Sequence, residues 1–419
     1  MFDYLTLVSI QILTFPVRFL PYKAIHRFGM ALGRILFYLL PKFRKRSLSN
    51  LALATDLHLS NAQMVELAKQ SLGNLVITCL EYVKFSREKQ IQRVARCENP
   101  EAAEQLLRSG KPPIFFCGHQ SNWEVLFLEG TRRMPGVAIG RPIKNAVLYR
   151  WILAMREKYG GRMIARQNAV REALRGLKKG SFLGIVGDQG MPDSGFCSPF
   201  LGKPAWTSPL PAILSHRTGS PIIVATTKRV DGRYQIHYSD PIWPDQSAPL
   251  EFEVDRMMRQ ALALFQASIQ ASPGEWLWSH NRWKQQTPER IKRPFRHDSI
   301  AILLPQDPAQ FEALKPHLAT FRAIYPREFI TLKAPRALAT PDLLDGTEIE
   351  TYESEDELFT TDFRFKLVFN FTGNVRLNRH YSKLAALKVI DLSGLRVCAQ
   401  ATPAEDLSTL LNKAVLHAS

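Results

Sequence analysis

Cysteine is sparse and unpaired in this sequence. The five present, Cys79, Cys97, Cys117, Cys197 and Cys398, are scattered and odd in number, which excludes a disulfide scaffold and fits a reducing compartment. Long hydrophobic runs are missing too. Residues 4–17 are uncharged, but Pro16 interrupts them and Arg18 ends them, short of the ~20 apolar residues a membrane span needs. Asp3 precedes the run and no clear cleavage site follows, so it does not read as a secretory signal. Acidic residues are outnumbered, 38 against 55 Lys plus Arg, for a formal charge of +17. That excess favours polyanions such as an anionic membrane face, an acidic carrier protein or phosphorylated lipid. Zinc-finger spacing and RNP-like motifs are absent. No nucleic-acid activity is expected, because salt-sensitive DNA binding can come from charge alone.

Hydrophobic residues make up 45% and charged residues 22%, a globular balance, and 419 residues suffice for two domains. Residues 1–50 read as a membrane-associated helical segment. There Lys42, Arg44, Lys45 and Arg46 follow an apolar helix over 31–40, and cations so placed are drawn to anionic cytoplasmic lipid. An anchor lying in the membrane plane, or partly inserted, is expected. Residues 51–284 form the main domain. Within it 61–80 and 252–270 have helical spacing, and strand-like runs at 114–117, 137–139, 182–186, 222–226 and 234–238 alternate with helical ones, an α/β pattern. Residues 285–297 are polar, basic and proline-bearing, a linker. In residues 298–419 strands at 299–304, 329–332, 366–371 and 388–392 alternate with helices at 309–321, 378–387 and 404–417. This predicts a small Rossmann-like α/β domain, although no G-x-G-x-x-G or Walker fingerprint marks a nucleotide site.

The residues that carry chemistry follow the strand 114–117: Gly118, His119, Gln120, Ser121, Asn122, Trp123 and Glu124. Ser121 and Glu124 stand at capping-box spacing, so a helix is expected to begin there, with His119 on the turn at a strand's carboxyl end. An imidazole there can take a proton from an alcohol near neutral pH. Glu124 either holds the ring by its other nitrogen, as a triad carboxylate does, or only caps its helix. No second His or Cys stands at ligand spacing, so a metal at His119 is not expected. Asp188 and Gln189 follow the strand 182–186 and should emerge at the same sheet edge. There they hydrogen-bond substrate or Arg156, or form a polar turn with Gly187 and Gly190. Arg156 sits on the amphipathic stretch 149–159, as a phosphate or carboxylate clamp or as a solvated cation. Trp276, Trp278 and Trp283 share nine positions with His280, Arg282 and Lys284. Such a cluster suits either a lipid–water boundary, with Arg282 and Lys284 meeting phosphates, or a partly buried helix end with solvated cations; His280 reads as structural. Cys117 reads as a small core residue.

From His119 to Lys284 the sequence resembles the late acyltransferases of lipid A biosynthesis, within the lysophospholipid acyltransferase superfamily. The resemblance rests on residues 118–124, on Gly187, Asp188, Gln189 and Gly190, on residues 276–284, and on the family-like runs 156–161, 20–23 and 50–53. It implies a glycerol-phosphate-acyltransferase-like mixed sheet flanked by helices, with a membrane-anchoring N-terminus on the cytoplasmic face of the inner membrane. It also implies catalytic roles for His119 and Glu124, no cofactor, an acyl carrier protein thioester as donor and a lipid A precursor as acceptor. Residues 196–211 then become either a mobile wall of an acyl tunnel or an ordered surface loop. Acylation of a lysophospholipid or other glycolipid, from carrier protein or acyl-CoA, is the alternative within the class. A non-catalytic lipid A-binding scaffold is the alternative outside it. Residues 367–376 and 302–332 are weakly similar to the first half of heptosyltransferases. The second half has no counterpart in the sequence, so independent sugar transfer is not expected. The C-terminal domain is expected either to position lipid A or a partner enzyme, or to be a purely structural appendage.

Overall fold

The computed structural model describes residues 2–286, 289–400 and 405–417. Thr287 and Pro288 of the expected linker and Ala404 of the expected last helix lie outside these. Two sheets organise the chain. The first contains β1 (Ala95–Cys97), β2 (Ile114–Cys117), β3 (Gly136–Gly140), β4 (Arg162–Ala165), β5 (Phe182–Val186), β8 (Ile222–Val230) and β9 (Arg233–Tyr238). Its order is β1-β9-β8-β2-β5-β3-β4, parallel except where β8 meets β9. Between β5 and β8, β6 (Cys197–Phe200) and β7 (Lys203–Trp206) pair as a hairpin. The expected loop over 196–211 is thus ordered, because Phe200, Leu201 and Ala205 are core residues.

The second sheet contains β10 (Ser299–Leu303), β11 (Phe329–Pro335), β12 (Glu348–Tyr352), β13 (Leu367–Asn370) and β14 (Lys388–Asp391). It is parallel in the order β12-β11-β10-β13-β14, the doubly-wound arrangement of a Rossmann half. The mixed α/β class is therefore as expected. The helix expected over 309–321 is instead two, Pro308–Leu314 and Leu318–Ile324, because Pro316 removes a helical donor between them.

Helices frame the first sheet: α1 (Phe2–Leu13), α2 (Tyr22–Leu39), α3 (Pro41–Leu53), α4 (Asn61–Phe85), α5 (Glu101–Arg108), α6 (Glu124–Arg133), α7 (Ala146–Arg156), α8 (Ala169–Lys178), α9 (Leu210–Thr218) and α10 (Leu250–Ala271). Strand alternation divides the core. Ile114, Phe116, Leu183, Ile185, Ile222 and Val224 pack on one face with α10. Phe115, Cys117, Phe182, Ile223, Ala225 and Tyr238 pack on the other with Val125 and Leu128 of α6.

Among the described residues no helix is long and apolar enough to cross a membrane. The N-terminus nevertheless has an unusual surface. Among the described residues, fourteen of the twenty-four exposed large apolar side chains fall between Tyr4 and Phe43. Only part of the basic cluster accompanies them. Lys42 is exposed, whereas Lys45 donates to the Ala386 carbonyl at 2.8 Å and Arg46 to that of Ser279 at 3.4 Å.

Candidate active site

Parallel pairing places the first two site residues. Cys117 at the end of β2 is opposite Val186 at the end of β5, and His119 and Asp188 each follow two residues on. Gly118 permits their approach, since a Cβ there would stand 2.0 Å from the Phe265 ring and 2.8 Å from Asp188 Oδ2. The carboxylate receives three bonds. His119 Nδ1 lies 2.7 Å from Oδ1, the His119 backbone N–H donates to Oδ2 at 2.7 Å, and Trp276 Nε1 donates to Oδ2 at 2.8 Å. Asp188 is fully buried whereas the His119 side chain keeps 15% of its surface. Nε2 has no protein partner among the described residues.

The electrostatics match this geometry. Burial alone would lower the pKa of His119, but the Asp188 charge and hydrogen bond, with Glu124 adding and Arg156 opposing, leave it raised above the usual 6.5. Burial likewise works against an ionised Asp188, yet His119 and His280 hold its carboxyl far below the usual range.

Glu124 does not hold the ring. Its carboxylate takes Arg156 Nε at 2.8 Å and Nη2 at 2.5 Å, and the Tyr82 hydroxyl at 2.5 Å. The expectation that Glu124 orients His119 is corrected. Glu124 opens α6, so the helix carries its side chain toward the end of α7, where Arg156 forks onto it. The capping box is absent as well. The Ser121 hydroxyl donates instead to the Glu275 carboxylate and its backbone N–H to the Glu275 carbonyl, with Ser121 at φ 50°. A left-handed, well-bonded turn of this kind is typical of a pre-organised site.

A cleft of about 380 Å³ opens beside His119, Trp123, Glu124, Arg156 and Gln189 and runs over the β2–β5–β3 face, where Ala138, Gly140 and Gly184 leave room. Phe115, Phe127, Phe182 and Met163 make its deeper wall apolar. Arg141, which sequence reasoning did not single out, stands in its lining and is exposed. Arg156 Nη1 has no protein acceptor among the described residues and lies 3.8 Å from the point where a Gly140 Cβ would be, so it faces this space. Gln189 reaches the cleft and is exposed. Asp188 bonds neither substrate space nor Arg156.

The tryptophan block is core, not boundary. Trp276, Trp278 and Trp283 are completely buried. Arg282 is sealed with them, its guanidinium donating to the Trp206 carbonyl at 2.9 Å and Thr207 Oγ1 at 2.8 Å and lying 4.2 Å from the Phe200 ring centre. Burial pulls its pKa down to about 10. It cannot meet an acceptor phosphate, and Lys284, half-buried, lies outside the cleft lining. His280 lies between the Leu277 and Asp188 carbonyls; burial lowers its pKa to about 4, so the neutral ring donates to only one of them, which suits a structural imidazole. Cys117 borders the cleft, but burial pushes its thiol well up, leaving little nucleophilic thiolate.

Sequence reasoning missed three residues that hold the site: Tyr82, Glu275 and Glu81. Buried Glu81 accepts from Asn122 Nδ2 at 2.7 Å and the Tyr234 hydroxyl at 2.6 Å and lies 2.7 Å from His26 Nε2. A glutamate inside the apolar spacing of α4 was the available signal, since such a charge is rarely buried without partners.

The chain matches the family of bacterial lipid A biosynthesis acyltransferases over residues 3–285. No individually curated protein matches the chain.

Proposed function

The chain belongs to the bacterial lipid A biosynthesis acyltransferases, and on that premise we propose that it moves a fatty acyl chain from an acyl carrier protein thioester to a hydroxyl of a lipid A precursor. The observation that carries this reading is His119, tied by Nδ1 to buried Asp188 with Nε2 free at the head of an apolar cleft. Nε2 takes the proton of the acceptor hydroxyl as that oxygen attacks the thioester carbonyl carbon. Asp188 keeps the tautomer correct and stabilises the imidazolium that forms. The carbonyl oxygen becomes an oxyanion, for which Arg156 Nη1 is the free donor, aligned by the Glu124 fork. Collapse breaks the carbon–sulfur bond, and the leaving thiolate takes the proton from His119. Ester and free thiol result, with no acyl-enzyme: Ser121 is committed to Glu275. The apolar wall takes the acyl chain, and Arg141 and Gln189 are placed for polar groups of donor or acceptor.

Both substrates are lipid-linked, which gives the exposed N-terminal surface a purpose. Asp3 caps the start of α7, accepting from the Ala146 N–H at 3.2 Å. The apolar exterior of α1 therefore lies beside the helix that carries Arg156. We assign this surface to the cytoplasmic leaflet of the inner membrane, with the apolar face of α1 and α2 sunk to headgroup depth. Phe15 and Phe19, 50% and 74% exposed, should each contribute up to ~2 kcal/mol on burial. Replacing both with serine should weaken sedimentation with anionic vesicles at least tenfold while leaving the melting temperature unchanged. Equal binding would remove this surface from the account.

The test of the function is product analysis. Purified protein is given acyl carrier protein and CoA thioesters against a lipid A precursor and a lysophospholipid, with mass spectrometry of the lipids. The proposal expects one added acyl chain on the lipid A precursor from the carrier thioester. Transfer confined to lysophospholipid would replace the acceptor, and absence of any transfer would leave a binding protein.

A further inference from the structure

The family match ends at residue 285, yet the C-terminal sheet reaches back to the reacting dyad through a buried polar relay. Lys366 and Asp298 stand immediately before β13 and β10, adjacent strands of that sheet, and both are buried. Lys366 Nζ donates to Asp298 at 2.7 and 2.8 Å and to Asn50 Oδ1 at 2.8 Å, which uses all three of its hydrogens. Asn50, on α3, is then fixed amide-outward. Its two remaining hydrogens go to the Trp278 carbonyl at 2.7 Å and the His280 carbonyl at 2.6 Å.

Those two carbonyls belong to a segment outside the helices and strands; at its start Trp276 bridges Gln120 and the Leu277 N–H donates to the His119 carbonyl at 2.9 Å, and beyond that point side chains such as Asn50 hold it. Besides the His119 ring, two rings touch Asp188, and this segment carries both: Trp276 by Nε1 at 2.8 Å and His280 by Nε2, 3.2 Å from the Asp188 carbonyl. A second arm comes from Arg327. Its Nη1 donates to the Pro192 carbonyl at 3.3 Å, four residues past Asp188, and its guanidinium lies 4.5 Å from the Trp206 ring centre.

We propose that the C-terminal domain is a brace for the His119–Asp188 dyad, with Lys366 and Asn50 as positioning residues and Arg327 as a second support. The proposal rests on the reading of that dyad as the reacting pair. A well-bonded turn holds His119, but Asp188 sits on an irregular loop, and its aim depends on neighbours on both sides. A contiguous set of bonds with defined partners can pass such a dependence between domains. An appended domain that merely packs would influence how much protein folds, not how the folded enzyme titrates.

The test uses the full chain with Asn50→Leu, with Lys366→Met combined with Asp298→Asn so that no buried carboxylate is left alone, and with exposed Arg327→Ala. Each is assayed for kcat, KM and the pH dependence of kcat/KM. The brace expects kcat to fall at least tenfold in the two buried-relay variants and several-fold in Arg327→Ala, with KM little changed. It also expects the acid limb to move to lower pH as the Asp188 contact loosens. Arg327→Ala, at the surface, reads out even if the buried variants do not fold. Folded variants with the parental kcat and pH profile would overturn the brace. If Asp188→Asn also kept parental activity, the dyad reading itself would have failed, which separates the two outcomes.

Discussion

Asp188→Asn should lower the rate of acyl transfer about 10²–10⁴-fold in a protein that remains folded, the range expected for a triad-type carboxylate. The cause is tautomeric. Three donors converge on Asp188: the His119 and Trp276 N–H groups on Oδ2 and the ring Nδ1 on Oδ1. An asparagine keeps its oxygen toward the two fixed N–H groups and turns its NH₂ to Nδ1. Nδ1 must then accept, the ring proton moves to Nε2, and the base is lost. The pH profile separates this from a loss of packing. A neutral imidazole is the active form, and the Asp188 charge raises the His119 pKa. The parental acid limb should therefore lie above the usual histidine value of about 6.5. Without the charge the imidazolium is less stable, so residual activity should persist to lower pH. Glu124→Gln, which touches Arg156 and Tyr82 but not the ring, should cost about tenfold in kcat through a less well aligned Arg156 and move the acid limb less than Asp188→Asn does. The reverse ranking would restore Glu124 as the orienting group.

Gly184→Leu should change which acyl chains are used. Gly184 lies on β5, paired with Phe115 of β2 and Ala138 of β3, and lines the cleft. A Cβ there would meet the Ala138 Cβ at 3.4 Å, the Val137 carbonyl at 3.8 Å and the Ala138 Cα at 4.0 Å, ordinary contacts that the backbone can accept. The rest of a leucine side chain would project into the cleft and displace three or four methylenes of a bound chain. At ~0.8 kcal/mol per methylene, that is about 2.4–3.2 kcal/mol against long donors, or about fifty- to two-hundredfold in relative kcat/KM. Competition among thioesters of graded length, read by product mass, should show the preferred chain shortened. An unchanged length profile in the folded variant would move the acyl site away from this cleft.

How much of this was legible depended on whether the relevant contact was local. The strands 114–117 and 182–186 announce themselves as short apolar runs bounded by Gly and Pro, and the turn after each strand could be expected at one sheet edge. The partner of His119 could not be found that way. Asp188 is 69 residues distant and becomes a neighbour only because β5 pairs directly with β2, an order that hydrophobic pattern does not encode. Glu124, near in sequence, was the tempting choice, but the first turn of α6 carries it to Arg156. The tryptophan block misled for a related reason. Indole suits boundaries and cores alike, and the choice was made by Phe200 and Phe265, which the β6–β7 hairpin and α10 bring around it. β12 was hidden because an edge strand reading Glu-Ile-Glu-Thr-Tyr buries too little to show a pattern. β1 and β4 were missed at three and four residues, too short for any periodicity.

His119→Ala, assayed beside the parental enzyme with an acyl carrier protein thioester and a lipid A precursor, tests the central claim most directly. Loss of the imidazole whose Nε2 stands free at the cleft should reduce formation of the acylated product by about 10³-fold or more, a general base and its positioning being worth at least that, with circular dichroism and melting temperature unchanged. Acyl transfer by the folded His119→Ala protein at the parental rate would contradict the account.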